Sequence, residues 1–124
     1  MNKVAIITRT LNRPILLRRA AQSILNQTFE DYIWVVVNDG GEKEPINDAV
    51  SNFPEDKVIV IHNPTRVGME AASNIGLKSS ESEYVVIHDD DDTWHPEFLK
   101  KTVSYLDARG PSDIQQGVVT YNEL

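Results

Sequence analysis

Residues 84–96 read YVVIHDDDDTWHP, an apolar run followed by four consecutive aspartates, Asp89 to Asp92. The apolar part predicts a strand and the end of the stretch predicts the start of a helix, so the carboxylates lie in the connecting loop. Helix capping and the helix dipole account for one or two acidic residues at such a place. Since like charges repel, a hard divalent cation with oxygen ligands is the better explanation for four.

The same succession of strand and helix extends along the chain. The predicted strands are Val4–Thr8, Tyr32–Val37, Lys57–Ile61, Glu83–His88 and Val118–Tyr121, and the predicted helices are one from Pro14 with Asn12 as its cap, Ile46–Phe53, Met69–Lys78 and Pro96–Arg109. Alternating strands and helices predict a mainly parallel sheet flanked by helices on both sides, an α/β sandwich of three layers. The chain length of 124 residues fits one domain.

Polar residues follow each of the first four predicted strands. They are Thr8–Thr10, Asn38–Asp39, Asn63–Arg66 and Asp89–Asp92. Because the carboxyl ends of parallel strands meet at one edge of the sheet, and ligands bind in the crevice outside that edge, we expect these four segments to form one cleft.

Composition excludes several kinds of site and partner. The chain has no cysteine, which excludes disulfides and thiolate metal sites, and its 12 basic and 19 acidic residues give a net charge of −7. Without a basic stripe, no nucleic-acid partner is expected, and nucleotide phosphates would need a bridging metal. The apolar stretch at the N-terminus is too short for a signal peptide or a membrane span, so the expected location is the cytoplasm or the periphery of the inner membrane face.

Four polar residues outside the aspartate run each have two interpretations. Asp39 precedes Gly-Gly, so it forms a turn or accepts a hydrogen bond from a nucleobase or ribose. Arg66 and Arg9 are either solvated cations or contacts for a base or phosphate. For Arg13 the favoured interpretation is a surface position on the first helix.

The aromatic residues around the aspartates have structural interpretations first. His88 is favoured as a core histidine with satisfied hydrogen bonds, and Trp94 as a hydrophobic anchor, with a stacking surface for a sugar or base as the alternative. His62 and His95 are weaker metal candidates. Neither a nucleophile elbow nor a phosphate-binding glycine loop occurs in the sequence.

Five segments, taken together and in this order, resemble family 2 glycosyltransferases of the GT-A fold. The segments are Val4–Pro14 with its Thr-x-Asn-Arg turn, Ser23–Thr28, Val35–Gly41, the Gly-x-x-x-Ala-x-Asn-x-Gly-Leu pattern of Gly68–Leu77, and Tyr84–Pro96 with its Asp-x-Asp signature. The resemblance runs over nearly the whole chain and implies a Rossmann-like GT-A fold.

The resemblance also implies roles for individual residues. Asp39 would hold the nucleobase, and Asp91 would be the direct ligand of Mn²⁺ or Mg²⁺. The implied nucleotide-sugar-binding residues are Thr8, Thr10, Asn38, Asp39, Arg66, Asp89 and Asp90, and the implied metal ligands are Asp91 and Asp89. Two positions depart from the family pattern, since Arg9 stands where proline is common and Asn38 where aspartate is common.

The implied function is glycosyl transfer from a nucleoside diphosphate sugar, with UDP-sugars favoured, to an unknown glycan, lipid or other acceptor, with inversion. In this family the catalytic base lies after the Asp-x-Asp segment, and we expect it beyond Leu124. Residues 1–124 are therefore expected to form a donor-binding domain that is incomplete at its C-terminus and transfers sugar poorly by itself.

Two other classes of protein remain as alternatives. The first is a noncatalytic nucleotide- or metal-binding α/β module, which binds the same ligands without turnover. The second is a receiver domain of a response regulator, which is disfavoured because its first strand ends in acidic residues, whereas here it ends in Thr8–Thr10. An unpaired sheet edge near Val118–Tyr121 would allow a homodimer.

Overall fold

A computed structural model describes residues 1–109. The strands are β1 (Asn2–Thr10), β2 (Tyr32–Asp39), β3 (Val58–Asn63) and β4 (Ser82–Ile87), and the helices are α1 (Pro14–Leu25), α2 (Glu44–Val50), α3 (Met69–Lys78) and α4 (Phe98–Arg109). The predicted strand Val118–Tyr121 lies outside the described residues. No helix among residues 1–109 is long and apolar enough to cross a membrane.

The four strands form one parallel sheet in the order β3-β2-β1-β4. Helix α3 covers one face, where the buried cluster is Ala5, Ile7, Ile33, Val35, Val37 and Ala72. Helices α1, α2 and α4 cover the other face, where Leu17, Ile24, Ile46, Leu99 and Val103 pack on Ile6, Trp34 and Val36. This arrangement confirms the three-layer α/β sandwich with a parallel sheet.

Helix α3 approaches the sheet closely through Gly76. A Cβ atom at this position would lie 2.7 Å from Cγ2 of Ile7 and 3.2 Å from Cγ2 of Val37. The glycine inside the predicted helix therefore allows the helix backbone to pack on β1 and β2, at the cost that glycine carries in a helix interior.

The outer strand β4 is covered on one face only. Val85 and Ile87 pair with Ala5 and Ile7 in the sheet, so they share the face on which α3 packs. They nevertheless remain 50% and 45% exposed, because the contacts of α3 are with β1 and β2.

Three predicted helix starts differ from the structure, and one of these helices, α2, spans Glu44–Val50 rather than Ile46–Phe53. The prediction that Asn12 caps α1 is wrong, because Arg13 is the N-cap residue and Asn12 adopts a left-handed φ of +52°. The last helix begins at Phe98 rather than Pro96. There the Pro96 carbonyl accepts a hydrogen bond from the Thr28 backbone (2.9 Å), so a contact with the end of α1 fixes the chain before the helix starts.

Candidate functional site

The carboxyl ends of the strands form a cavity of about 320 Å³. It is lined by Arg9, Thr10, Leu11, Arg13, Asp39, Arg66, Met69, Asp89, Asp90 and Asp91. These residues come from the ends of β1, β2 and β4 and from the connection between β3 and α3, as the parallel sheet predicts. The cavity therefore combines four carboxylates with three arginines.

Asp90 anchors the aspartate loop to the start of α1. Its Oδ2 accepts a hydrogen bond from the Thr10 hydroxyl (2.8 Å), and its Oδ1 accepts one from the Arg13 guanidinium (2.8 Å). Asp90 is only 5% exposed. Arg13 lies at the surface, as predicted, but the sequence did not indicate that it reaches a residue 77 positions away. With both oxygens engaged, Asp90 is a positioning residue of the loop.

The other three aspartates form a group that fits a divalent cation. Asp89, Asp91 and Asp92 each offer a carboxylate oxygen, and these oxygens lie within 4.8 Å of one another. Asp89 and Asp91 are exposed, and Asp92 is partly buried. All-oxygen ligands suit Mn²⁺ or Mg²⁺. The family resemblance implied Asp91 and Asp89 as metal ligands, and the structure adds Asp92 to the group that could hold a cation, because of how the loop turns.

Among the described residues, the carboxylate of Asp91 is unpaired, in contrast to those of Asp89 and Asp90. Its carboxylate makes no hydrogen bond or ion pair with any of residues 1–109, although it lines the cavity. Asp89, by contrast, is paired with Arg9 at 2.9 Å (Oδ1 to the guanidinium). An unpaired carboxylate between other carboxylates is the strongest single sign that this loop binds a cation.

A buried histidine, His88, and a partly buried tryptophan, Trp94, support the aspartate loop. His88 is fully buried, with Nδ1 3.1 Å from the Thr8 hydroxyl and Nε2 2.9 Å from the Asp92 carbonyl. The ring of Trp94 packs edge-on against His88, with centroids 4.6 Å apart. Burial lowers the pKa of His88, so the ring is neutral at physiological pH. The structure confirms the predicted core role of His88, and Trp94 acts as a hydrophobic anchor.

The end of α1 fixes the segment that follows the aspartates. The Ser23 hydroxyl accepts a hydrogen bond from the Trp94 backbone, and the Gln27 amide donates to the His95 carbonyl (2.9 Å). The Gln27 carbonyl oxygen accepts from the backbone of Leu99 (3.1 Å) in the first turn of α4. Residues 23–28, one of the segments behind the family resemblance, therefore position the chain on the far side of the loop.

Asp39 holds the connection between β3 and α3. Its Oδ1 accepts hydrogen bonds from the Val67 backbone (2.8 Å) and the Asn63 amide (3.2 Å), and its Oδ2 accepts one from the Gly68 backbone (3.0 Å). Burial would raise the pKa of Asp39, but these hydrogen bonds and the charge of Arg66 outweigh it, so the pKa is lowered. Asp39 is thus an ionised, 5% exposed carboxylate at the cavity wall.

Gly40 allows this connection to lie against the end of β2. Its φ is +92°, and a Cβ atom there would lie 2.6 Å from the Arg66 backbone nitrogen. Arg66 consequently reaches the cavity on the same side as Asp39. The Asp39-Gly40 turn predicted from the sequence is therefore also a contact surface for a loop more than 20 residues away.

The structure does not bring Thr8 and Asn38 to the cavity wall. Thr8 is fully buried and accepts a hydrogen bond from the Trp34 indole (2.9 Å). The Asn38 amide donates to the Gly41 carbonyl (3.0 Å) and approaches Nδ1 of His62 (3.0 Å). Both side chains position their strand ends, whereas Thr10, Asp39, Arg66, Asp89 and Asp90 do line the cavity.

His95 is exposed and accepts a hydrogen bond from the Glu97 backbone at Nδ1 (3.2 Å), which is a local turn contact. Within residues 1–109, neither His95 nor His62 belongs to the group of side chains that could hold a metal.

Comparison with known proteins gives the chain a family. The sequence model of glycosyl transferase family 2 matches residues 5–123. The uncharacterized glycosyltransferase YwdF of Bacillus subtilis is 28% identical over 121 residues, which cover 98% of this chain and 44% of that protein. The chain spans 15%, 44% and 39% of the lengths of three such curated relatives.

Solved structures share the fold. The mannosyltransferase PcManGT of Pyrobaculum calidifontis, solved with GDP-Man and Mn²⁺, superposes with a TM-score of 0.78 at 23% identity, covering 85% of this chain and 32% of that one. TarS residues 1–349 from S. aureus, solved with UDP, superpose with a TM-score of 0.76 at 26% identity, covering 86% and 32%. The fold is therefore that of the GT-A glycosyltransferases, as the sequence predicted.

Proposed function

The chain belongs to glycosyl transferase family 2, and we propose that its cavity binds the nucleoside diphosphate of a sugar donor through Mn²⁺ or Mg²⁺ for transfer of the sugar to an acceptor. The observation that carries this proposal is the unpaired carboxylate of Asp91 in the cavity, beside Asp89 and Asp92. A bridging cation would let these carboxylates lie beside a diphosphate, and this group of oxygens suits one.

The cation would be held by the group Asp89, Asp91 and Asp92, in which Asp91 would be bonded to it directly. When bound, the cation supplies positive charge that stabilises the diphosphate as the bond to the sugar breaks. Asp90, through Thr10 and Arg13, keeps the loop in place for this purpose.

The nucleoside would lie toward the other side of the cavity, between Asp39 and Arg66. The hydrogen bonds to Asp39 leave room on Oδ2 for one more donor, such as a nucleobase N–H or a ribose hydroxyl. We favour a UDP-sugar as the donor, since TarS, 26% identical, was solved with UDP.

The test is calorimetric titration of UDP, GDP, dTDP and ADP into the 124-residue chain, with Mn²⁺ and with EDTA. Binding of at least one nucleoside diphosphate, UDP foremost, should require Mn²⁺, and Asp91→Ala should abolish this requirement together with most of the affinity. Asp48→Ala, an exposed aspartate on α2, is the matched control and should bind like the wild type. Equal binding with Mn²⁺ and with EDTA would refute the proposal.

A binding module without turnover is distinguished from a transferase by a second measurement. Release of UDP from a UDP-sugar that depends on an added acceptor supports transfer, and the anomeric configuration of the product, read by NMR, tests the proposed inversion. Tight, metal-dependent binding without any such release by the longer protein would favour the noncatalytic alternative.

A further inference from the structure

Arg9 joins the end of β1 to the aspartate loop. Its guanidinium lies 2.9 Å from Oδ1 of Asp89, and its side chain is only 15% exposed while that of Asp89 is 52% exposed. Side chains alternate along a strand, so Arg9 leaves β1 on the face of Ala5 and Ile7, which is the side of α3. From there it lines the cavity together with Asp91.

The hydrogen bonding of Arg9 is incomplete. A guanidinium has five N–H donors, and the Nε of Arg9 is buried without a hydrogen-bond partner among the described residues. Leaving such a donor unsatisfied carries a desolvation cost. Because Nε itself is buried, an anion in the cavity would contact the terminal N–H groups of the guanidinium, and a phosphate is the anion whose oxygens suit them best.

Asp89 has two competing positive partners. It is paired with Arg9, and it is also one of the three carboxylates that can hold a cation. A divalent cation on these carboxylates would lie close to the charge of Arg9 and compete with it for the Asp89 carboxylate, so the two positive charges would repel each other. An anion bound between the cation and Arg9 would attract both positive charges and offset their repulsion.

The ion pair of Arg13 differs from that of Arg9 in the carboxylate that it uses. Arg13 pairs with Asp90, which is buried and also bonded to Thr10, and Asp90 is outside the group that can hold a cation. The Arg13 pair therefore fixes the loop, whereas the carboxylate that pairs with Arg9, that of Asp89, could also hold a cation.

We propose that Arg9 is a contact for the donor's diphosphate and, through its pair with Asp89, makes cation and nucleotide bind cooperatively. This inference rests on the proposed function. Without nucleotide, Arg9 weakens cation binding by holding Asp89. With nucleotide, its free donors bind the diphosphate, and the charges of Arg9 and the cation then attract the same anion. Linkage requires each ligand to strengthen the other by the same factor.

The test separates the two ligands. Binding of Mn²⁺ alone is measured by EPR of the free ion, and binding of UDP at saturating Mn²⁺ by calorimetry, for the wild-type 124-residue chain, Arg9→Ala and Arg9→Lys. Arg9→Ala should bind Mn²⁺ alone about two- to fivefold more tightly, because a competing ion pair is lost. The same variant should bind UDP about tenfold more weakly, because a charge-assisted hydrogen bond is lost. Arg9→Lys should keep the wild-type Mn²⁺ affinity and recover part of the UDP affinity.

Arg18→Ala is the matched control, since it removes the same charge from an exposed position on α1 outside the cavity. It should leave both affinities unchanged, and far-UV circular dichroism should show that every variant is folded. Weaker binding of both ligands by Arg9→Ala would show that Arg9 only shapes the site, and unchanged binding of both would show that the pair is incidental. Either result overturns this inference alone, whereas a wild-type chain that binds no UDP with Mn²⁺ refutes the proposed function as well.

Discussion

Two strand ends carry aspartates and use them differently, and we call the end of β2 the first corner of the site and the end of β4 the second corner. At the end of β2, Asp39 is buried, and its two oxygens accept three hydrogen bonds from the connection between β3 and α3. After β4, Asp89 and Asp91 are exposed, and Asp91 has no partner among residues 1–109. The first corner uses a carboxylate to order a loop, and the second presents carboxylates to the cavity.

The comparison indicates which property separates a structural aspartate from a candidate metal ligand. Position at a strand's carboxyl end is the same in both corners, so position does not decide. The number of donors already bound differs between the two. A carboxylate that accepts several N–H hydrogen bonds gains little from a cation, whereas neighbouring carboxylates with few donors repel one another until a cation binds them. Asp90 follows the same rule in the second corner, because Thr10 and Arg13 donate hydrogen bonds to both of its oxygens and it holds the loop in place.

The largest effect on stability is expected from the first corner. Asp39→Ala removes the acceptor of two backbone N–H groups and one amide, and we expect it to lower the free energy of unfolding by about 3 kcal/mol. Urea unfolding measures this loss. Asp48→Ala is the control and should stay within about 0.5 kcal/mol of the wild type. Equal stability of the two variants would mean that the corners do not differ as described.

A substitution in the second corner should change the stabilisation by bound ligands rather than the stability without ligand. Asp91→Ala should leave the free energy of unfolding without ligand unchanged or slightly higher, because it relieves repulsion between carboxylates. It should remove most of the stabilisation by Mn²⁺ plus UDP, which is about 2.7 kcal/mol at a hundredfold excess over Kd. Thermal unfolding with and without the ligands measures both quantities. A full ligand response in Asp91→Ala would place the cation elsewhere.

Protonation of Asp39 in acid should lower the free energy of unfolding. The pKa of Asp39 is lowered in the fold from its ordinary 3.8, so its ionised form contributes stability above pH 3.8 that is lost as the pH falls through the folded pKa. We therefore expect the stability difference between wild type and Asp39→Asn to shrink below that pH. Urea unfolding between neutral pH and about pH 3 measures it. A difference that stays constant over this range would contradict the linkage.

The smallest effect is expected at Arg13, which connects the corner of Asp90 to α1. Its side chain is 49% exposed, whereas that of Asp90 is 7% exposed. Arg13→Ala should therefore cost about 1 kcal/mol, more than a fully exposed pair, because one buried carboxylate oxygen loses its donor. Arg18→Ala should cost less in the same unfolding measurement. The reverse order would show that the aspartate loop is fixed without Arg13.

The fold and the place of the site followed from local patterns. Apolar strands such as Tyr32–Val37 alternate with helices, and this alternation leaves few arrangements other than a parallel sheet with its loops at one edge. The convergence of Asp39, Arg66 and the aspartate run at one cavity is a consequence of that topology.

The sequence could not predict which aspartates are held by hydrogen bonds and which stay unpaired in the cavity. It depends on contacts between residues about 80 positions apart, such as Thr10 with Asp90. Long-range contacts also explain the errors at the starts of the first and last helices. Asn12 turns away from α1, and its side chain accepts a hydrogen bond from the Glu42 backbone (3.4 Å). At the start of α4, the Leu99 backbone donates a hydrogen bond to the side chain of Gln27, 72 positions away.

The most direct test of the site is the anomalous scattering of Mn²⁺ in a crystal of the chain with UDP. The account predicts a single strong peak between the carboxylates of Asp89, Asp91 and Asp92, with the diphosphate beside it in the cavity that Asp39 closes on the other side. A nucleotide bound in the crystal with Mn²⁺ remote from these three residues, or with Asp91 turned into solvent, would contradict it.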